Sequence, residues 1–172
     1  MGRDKIRKPF RFKRFSVNHN RSSMPVGVDG VLIGAWAGSC DTTGEVLSPR
    51  RILDVGCGCG LIALMCAQRF EDALIDAIDI DDASVLEAFD NISMSIFCDR
   101  VSVTLDDVCD YAKRHAGMYD LIVSNPPYFA AGVLEPSTRR ERARHQGTLS
   151  PVSLMNMSAV MLSDAGRLAM IV

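Results

Sequence analysis

The sequence predicts an α/β fold built on a doubly wound, mostly parallel sheet, and three observations carry that prediction. Short apolar runs alternate with segments of helical length. Several of those runs are followed directly by glycine, aspartate or Asn-Pro-Pro, as at the strand ends of a parallel sheet. An apolar fraction of 48% over 172 residues is enough for the core of one domain. Parallel neighbours require crossovers, and right-handed crossovers put helices on the faces of the sheet.

RILDV (51–55) is the first strand, and it runs into GCGCG (56–60). LIALMCAQRF (61–70) has the apolar content of a helix packed on a sheet. ALIDAIDI (73–80) is the second strand, and DDASVLEAFDNISMSI (81–96) is a helix whose opening acids suit the positive end of its dipole. VSVTL (101–105) is the third strand and DVCDYAKRHA (107–116) the helix after it. MYDLIVS (118–124) is the fourth strand, which stops at Asn125 because the prolines that follow cannot donate to a ladder. SPVSLMNMSAVML (150–162) reads as a helix with Ser150 as cap and Pro151 at its first position, and GRLAMIV (166–172) as the fifth strand.

A net charge of −2 conceals an asymmetry. Residues 1–21 hold eight Lys/Arg against Asp4, residues 22–138 hold six against eighteen Asp/Glu, and residues 139–172 hold five against Glu141 and Asp164. An acidic body therefore carries two basic outposts. The six cysteines (Cys40, Cys57, Cys59, Cys66, Cys98, Cys109) lack disulfide-framework spacing and suit a reducing compartment. Cys57 and Cys59 flank Gly58 with no second Cys/His pair nearby, so they read as small loop residues and no metal is expected. No stretch approaches the roughly 20 apolar residues of a membrane span, and no apolar signal core follows the basic N-terminus, so nothing points to export.

Four groups fall just after strands: the Gly56, Gly58 and Gly60 loop, Asp79, Asp107, and Asn125 with the residues that follow it. In a parallel sheet those strand ends share one edge, where ligands bind. A glycine loop alone often serves only a tight turn. Counted from Gly56, a dinucleotide fingerprint would need glycine where Leu61 stands; counted from Gly58, it is met loosely by Gly60 and Ala63. Asp54, just ahead of the glycines, points to a different cofactor. Asp79 stands about 20 residues beyond the loop, a spacing suited to ribose hydroxyls, whereas Asp81 reads as an acid opening a helix. Asp107 fits a helix cap and a ligand contact equally well.

NPPY (125–128) is the most specific feature. A turn built on two prolines needs neither Asn125 before it nor Tyr128 after it. An exocyclic amine conjugated to a ring or carbonyl is a poor nucleophile, because its lone pair is delocalised. An Asn carboxamide oxygen and a rigid backbone carbonyl that both accept its N–H groups draw the lone pair out of conjugation. An aromatic face beside them lets a planar base stack. Asn125, Pro126, Pro127 and Tyr128 are thus the candidate catalytic residues, with Phe129 as a second stacking surface.

These residues resemble the class I S-adenosylmethionine-dependent methyltransferases with an (N/D)PP(Y/F) motif. DVGCGCG looks like that family's cofactor loop, Asp79 its ribose-binding acid and Asp107 its adenine-side acid. RFKRFSVNHNRSSMPVGVDGVLIGAWA (11–37) is similar to the opening of the bacterial tRNA1(Val) adenine-N6 methyltransferases, with Pro25 and Val28 where that family is expected to have Lys and Thr. The resemblance implies a Rossmann-like sheet, and Gly27, Asp29 and Gly30 as cover for S-adenosylmethionine beside Asp54, Gly56, Gly58, Gly60, Asp79, Asp107 and Asn125. The change in charge separates a basic segment (1–21) from a cofactor-binding domain (22–172), which is expected to be incomplete at its C-terminus. Seven strands are usual in the family, so a sheet lacking the last two is expected, with an open apolar edge beside LAMIV.

The implied activity is N6-methylation of an adenine in the anticodon loop of a tRNA1(Val)-type substrate, in the cytoplasm. GRDKIRKPFRFKR and RRERARHQ (139–146) would then flank the site and meet phosphates and exposed bases. No general base stands out; His19 and His145 qualify only as histidines do. Two alternatives stay open: a glutamine-N5 methyltransferase of release factors, which shares NPPY, and a non-catalytic RNA-binding scaffold. The sequence specifies no oligomeric state.

Overall fold

A computed structural model describes residues 7–39, 47–126 and 150–171. A small antiparallel hairpin pairs β1 (Phe10–Arg11) with β2 (Ser16–Val17), and α1 (Val28–Trp36) follows. The main sheet takes β3 (Arg51–Val55), β4 (Leu74–Asp79), β5 (Val101–Leu105), β6 (Tyr119–Ser124) and β7 (Leu162–Met170). Between them run α2 (Leu61–Arg69), α3 (Asp82–Ser93), α4 (Val108–Arg114) and α5 (Pro151–Met161). The five strands lie in the order β5-β4-β3-β6-β7, all neighbours parallel. The chain starts at the middle strand and winds outwards both ways, which is the doubly wound topology expected from the sequence. Among the described residues no helix is long and apolar enough to cross a membrane.

Alternation along the strands supplies two cores. Ile52, Ile75, Ala77, Leu121 and Val123 pack on one face with Leu64 and Ala67 of α2 and Ala88 and Ile92 of α3. Leu53, Val55, Ile78 and Ile122 pack on the other with Val108 and Ala112 of α4 and Leu154 and Met161 of α5. Helix starts follow the expected chemistry: Asp81, Asp107 and Ser150 each accept a bond from a backbone N–H of the first turn.

The N-terminal segment docks along α3. Phe15 meets Phe97 edge-on at 6.2 Å between ring centres, and Arg14 reaches Glu71 at 3.8 Å, so the hairpin sits by loops that lead into β5 and β4. From there the chain climbs antiparallel to α3, past Asn91, Glu87 and Ser84 in turn, and enters α1 at the opposite edge. α1 then packs on α2 through two glycines. A Cβ on Gly30 would come 3.2 Å from Leu61 Cδ2, and one on Gly34 would come 2.6 Å from Met65 Sδ.

Three details differ from the sequence reading. β7 begins at Leu162 rather than 166, with an irregularity between the Tyr119↔Leu162 and Leu121↔Arg167 pairs. Gly166 lets the chain cross there, because a Cβ would stand 2.6 Å from the Tyr119 carbonyl oxygen. Within the described residues β7 is an edge strand, but Leu168 and Met170 pack against one core and Ile171 against the other, so what is open is its hydrogen-bonding edge. In addition, the hairpin carrying Arg11, Lys13 and Arg14 lies at the amino end of the strands, because Phe15 anchors it to Phe97. Those charges do not flank the edge that bears Asn125.

Candidate functional site

Register brings the expected groups to one edge. Val55 pairs with Ile78 on one side and Ser124 on the other, and Asp79 pairs with Leu105. One residue further, the chain leaves the sheet at Gly56, Asn125 and Asp106, so the glycine loop emerges between Asp79 and Asn125. Ser124 Oγ donates to the Val55 carbonyl at 2.8 Å and ties β6 to β3 at the rim.

The loop is built by its glycines. Gly56, Gly58 and Gly60 have φ of 70°, 55° and 80°, the left-handed region that L side chains rarely adopt. The N–H groups of Gly56 and Cys57 both donate to the Ile78 carbonyl, at 2.9 and 3.0 Å. A Cβ on Gly56 or Gly58 would meet nothing within 4 Å, so there is open space at both positions. Gly60, by contrast, is closed in, 3.3 Å from Ala88 Cβ. Cys57 and Cys59 turn into the core, and burial pushes the Cys57 thiol far up and that of Cys59 to about 12. Both are packing groups.

Two carboxylates brace the loop. Asp79 accepts from Gly58 N–H at 2.8 Å and from Asp81 N–H at 2.9 Å; burial raises its pKa above the ordinary value. Asp54 is wholly buried. Its Oδ2 accepts from Ala63 N–H at 3.0 Å in the first turn of α2, its Oδ1 has no partner, and burial pushes its pKa to about 7. Asn125 Oδ1 is likewise buried without a partner. A buried polar atom left unpaired costs about 1–3 kcal/mol, and these two lie at one sheet edge.

Asp107 caps α4, accepting from Cys109 N–H at 2.7 Å. Gly27 is the N-cap of α1, Asp29 lies in its first turn, and a Cβ on Gly30 would be 3.9 Å from Asn125 Nδ2, so α1 is a wall of the same site. Pro126 is buried. Pro127, Tyr128, Phe129, the basic stretch 139–146 with His145, and Cys40 lie outside the described residues. His19 is occupied elsewhere: its Nδ1 accepts from Val26 N–H at 3.0 Å, and Nε2 faces the Lys8 carbonyl at 3.3 Å. It pins the N-terminal segment and is not free to act as a base.

With this geometry in view, the methyltransferase small domain family matches residues 42–149. The chain belongs to that family. It is also similar to two proteins named tRNA1(Val) (adenine(37)-N6)-methyltransferase. One, from Parabacteroides distasonis, is 46% identical over 164 residues, covering 94% of this chain and 65% of the relative. The other, from Yersinia pestis, is 40% identical over 163 residues, covering 94% and 63%. The chain thus spans a little under two thirds of those relatives. Among solved structures, P. horikoshii TYW2 in complex with MeSAdo superposes with a TM-score of 0.63 at 14% identity, covering 98% of this chain and 52% of that one. Geranyl diphosphate C-methyltransferase from Streptomyces coelicolor gives 0.53 at 16%, covering 70% and 38%. At such identities these show the fold: the methyltransferase sheet, here with five parallel strands described.

The sequence reading missed one set of residues around this site. Ser84, Glu87 and Asn91 are buried on one face of α3, where polar side chains would ordinarily mark a solvated face. The signal available was their spacing of three and four, which puts them in one row.

Proposed function

We propose that this chain binds S-adenosylmethionine at the carboxyl edge of its sheet and methylates the N6 amine of an adenine in RNA, a tRNA1(Val)-type anticodon-loop adenine. The observation that carries the reading is the buried, unpartnered Oδ1 of Asn125, which follows β6 beside a glycine loop with open space above it. The names of the 46% and 40% identical relatives support the substrate.

The residues present fit the cofactor. Gly56 and Gly58 leave room for close approach, and Asp79 keeps free lone pairs on both braced oxygens for ribose hydroxyls. Asp54 Oδ1 is an unpartnered polar atom beside the loop, Asp107 stands at the next strand end, and Gly27, Asp29 and Gly30 line the α1 side. When bound, S-adenosylmethionine supplies a methyl group on a positively charged sulfur.

The protein's part is orientation. Asn125 Oδ1 and the Pro126 carbonyl accept the two N–H groups of the target amine, which turns its lone pair out of conjugation with the ring. Pro126 and Pro127 hold that carbonyl still, and Tyr128 offers a face on which a base turned out of its stack rests. No side chain is required as a base, because the amine loses its proton after transfer. With this substrate the cytoplasm is the expected compartment.

Nucleoside mass spectrometry tests the reading. Unmodified bulk tRNA incubated with the protein and S-adenosylmethionine should yield N6-methyladenosine, and Asn125→Ala should abolish it while keeping cofactor affinity within about threefold. A folded, cofactor-binding wild type that leaves tRNA unmodified but methylates a release-factor glutamine would overturn the substrate. Binding of tRNA with no methylation of either would favour the scaffold.

A further inference from the structure

Glu87 lies in the middle of α3, 1% exposed, yet it faces neither solvent nor a cation at close range. Its Oε1 accepts from Asn20 N–H at 2.7 Å and Arg21 N–H at 3.0 Å, and its Oε2 accepts from Ser22 N–H at 2.8 Å. One carboxyl group therefore gathers three consecutive backbone donors. One turn towards the C-terminus of α3, Asn91 accepts from Asn18 N–H and donates to the Asn18 carbonyl, both at 2.9 Å; it also donates to the Cys59 carbonyl of the glycine loop at 2.9 Å. One turn the other way, Ser84 Oγ accepts weakly from Ser23 N–H at 3.4 Å. Residues 84, 87 and 91 thus bind residues 23, 20–22 and 18 in reverse order along one face of the helix.

These contacts are to the backbone, so they fix where the segment lies whatever its side chains. The segment ends at Gly27, the cap of α1, and α1 carries Gly30 to the side of Asn125. Asn91 adds a direct tie from the same row to the loop that α1 faces across Leu61.

We infer that Ser84, Glu87 and Asn91 are positioning residues for the site, a row on α3 that holds α1 and the glycine loop in register; the inference rests on the cofactor reading above. Replacing one Glu87 oxygen by an amide sets an N–H group against the backbone N–H groups it now accepts. Charge-assisted bonds of this kind carry enough free energy for about a tenfold change in affinity when lost.

The test is peptide-resolved hydrogen exchange on the full chain, wild type and Glu87→Gln, with and without S-adenosylhomocysteine, and calorimetric titration of that ligand. In Glu87→Gln, residues 18–26 and α1 should exchange faster, β3, β4 and β6 should keep their protection, and the ligand Kd should rise about tenfold. Arg21→Ala removes only the exposed ion pair with Asp90 and the long one with Glu87, and should leave the Kd unchanged. Equal acceleration in every strand would reduce Glu87 to an ordinary stabilising group. Unchanged protection of α1, or an unchanged Kd, would overturn the inference. If the wild type itself fails to bind S-adenosylhomocysteine, the cofactor reading falls, and exchange in α1 still decides whether the row holds that helix.

Discussion

The Asp79 carboxylate accepts a hydrogen bond from the Gly58 N–H at 2.8 Å, so the acid that ends β4 and the glycine that shapes the neighbouring loop are one unit. With its other oxygen held by Asp81 N–H, the carboxylate cannot swing, and its remaining lone pairs point in set directions. Asp79→Asn puts an amide N–H against one of those two donors. We expect a loss of about 1–3 kcal/mol in stability, and a tenfold or greater rise in the Kd for S-adenosylhomocysteine. Thermal unfolding and calorimetry read the two effects, and an unchanged Kd would remove Asp79 from the cofactor site.

Gly58 and Gly60 separate loop strain from ligand space. Both have positive φ, so alanine at either costs about 1–2 kcal/mol. Gly60→Ala adds a contact 3.3 Å from Ala88 Cβ, whereas at Gly58 the new methyl meets open space. Gly60→Ala should therefore be the less stable of the two in urea. Gly58→Ala should be the weaker cofactor binder when both are compared well below their melting temperatures. The reverse ranking would mean that the space over Gly58 is not where the ligand lies.

How the sequence could be read depended on what fills the buried positions. The strands of the main sheet show in the text because aliphatic side chains line both faces, and the loop shows because its glycines are forced. α1 does not show. Its buried positions include Gly30 and Gly34, while Val28, Leu32 and Trp36 are exposed, an apolar pattern inverted relative to an ordinary surface helix. The α3 row is hidden for the opposite reason: Glu87 and Asn91 carry solvent-type side chains whose partners are backbone groups 32 to 73 residues away, which no local period reveals. The site edge was legible through parallel topology alone, which gathers Gly56, Asp79 and Asn125 without any knowledge of their contacts.

The close packing of α1 on α2 predicts a sharp difference between its two glycines. Gly30→Ala brings a methyl 3.2 Å from the flexible end of Leu61, a contact that a small rotation relieves. Gly34→Ala brings it 2.6 Å from Met65 Sδ and 3.0 Å from Met65 Cβ, so the helix itself must shift. Alanine gains about 1 kcal/mol of helix propensity at both sites. Gly30→Ala should be neutral or slightly stabilising, and Gly34→Ala destabilising by about 1–3 kcal/mol. Denaturant unfolding measures both, and equal effects would contradict the packing.

Asp54 predicts a pH dependence whose sign can be worked out. Burial raises its pKa from 3.8 to about 7 in the folded chain, so folding favours the protonated form. Its contribution to stability is complete below about pH 4 and is lost as pH rises to about 7, a span worth about 4 kcal/mol. Asp54→Asn keeps an oxygen for the Ala63 N–H and has no proton to lose. Urea unfolding of both proteins should show the wild type losing about 2–3 kcal/mol relative to the variant between pH 5 and pH 7, with no further change above about pH 8. A donor supplied to the orphan Oδ1 by bound ligand favours the charged form, so saturating S-adenosylhomocysteine should shrink that loss and end it at a lower pH. A difference between the two proteins that is constant across the range would show that Asp54 is ionised at neutral pH, and that its unpartnered oxygen is already satisfied.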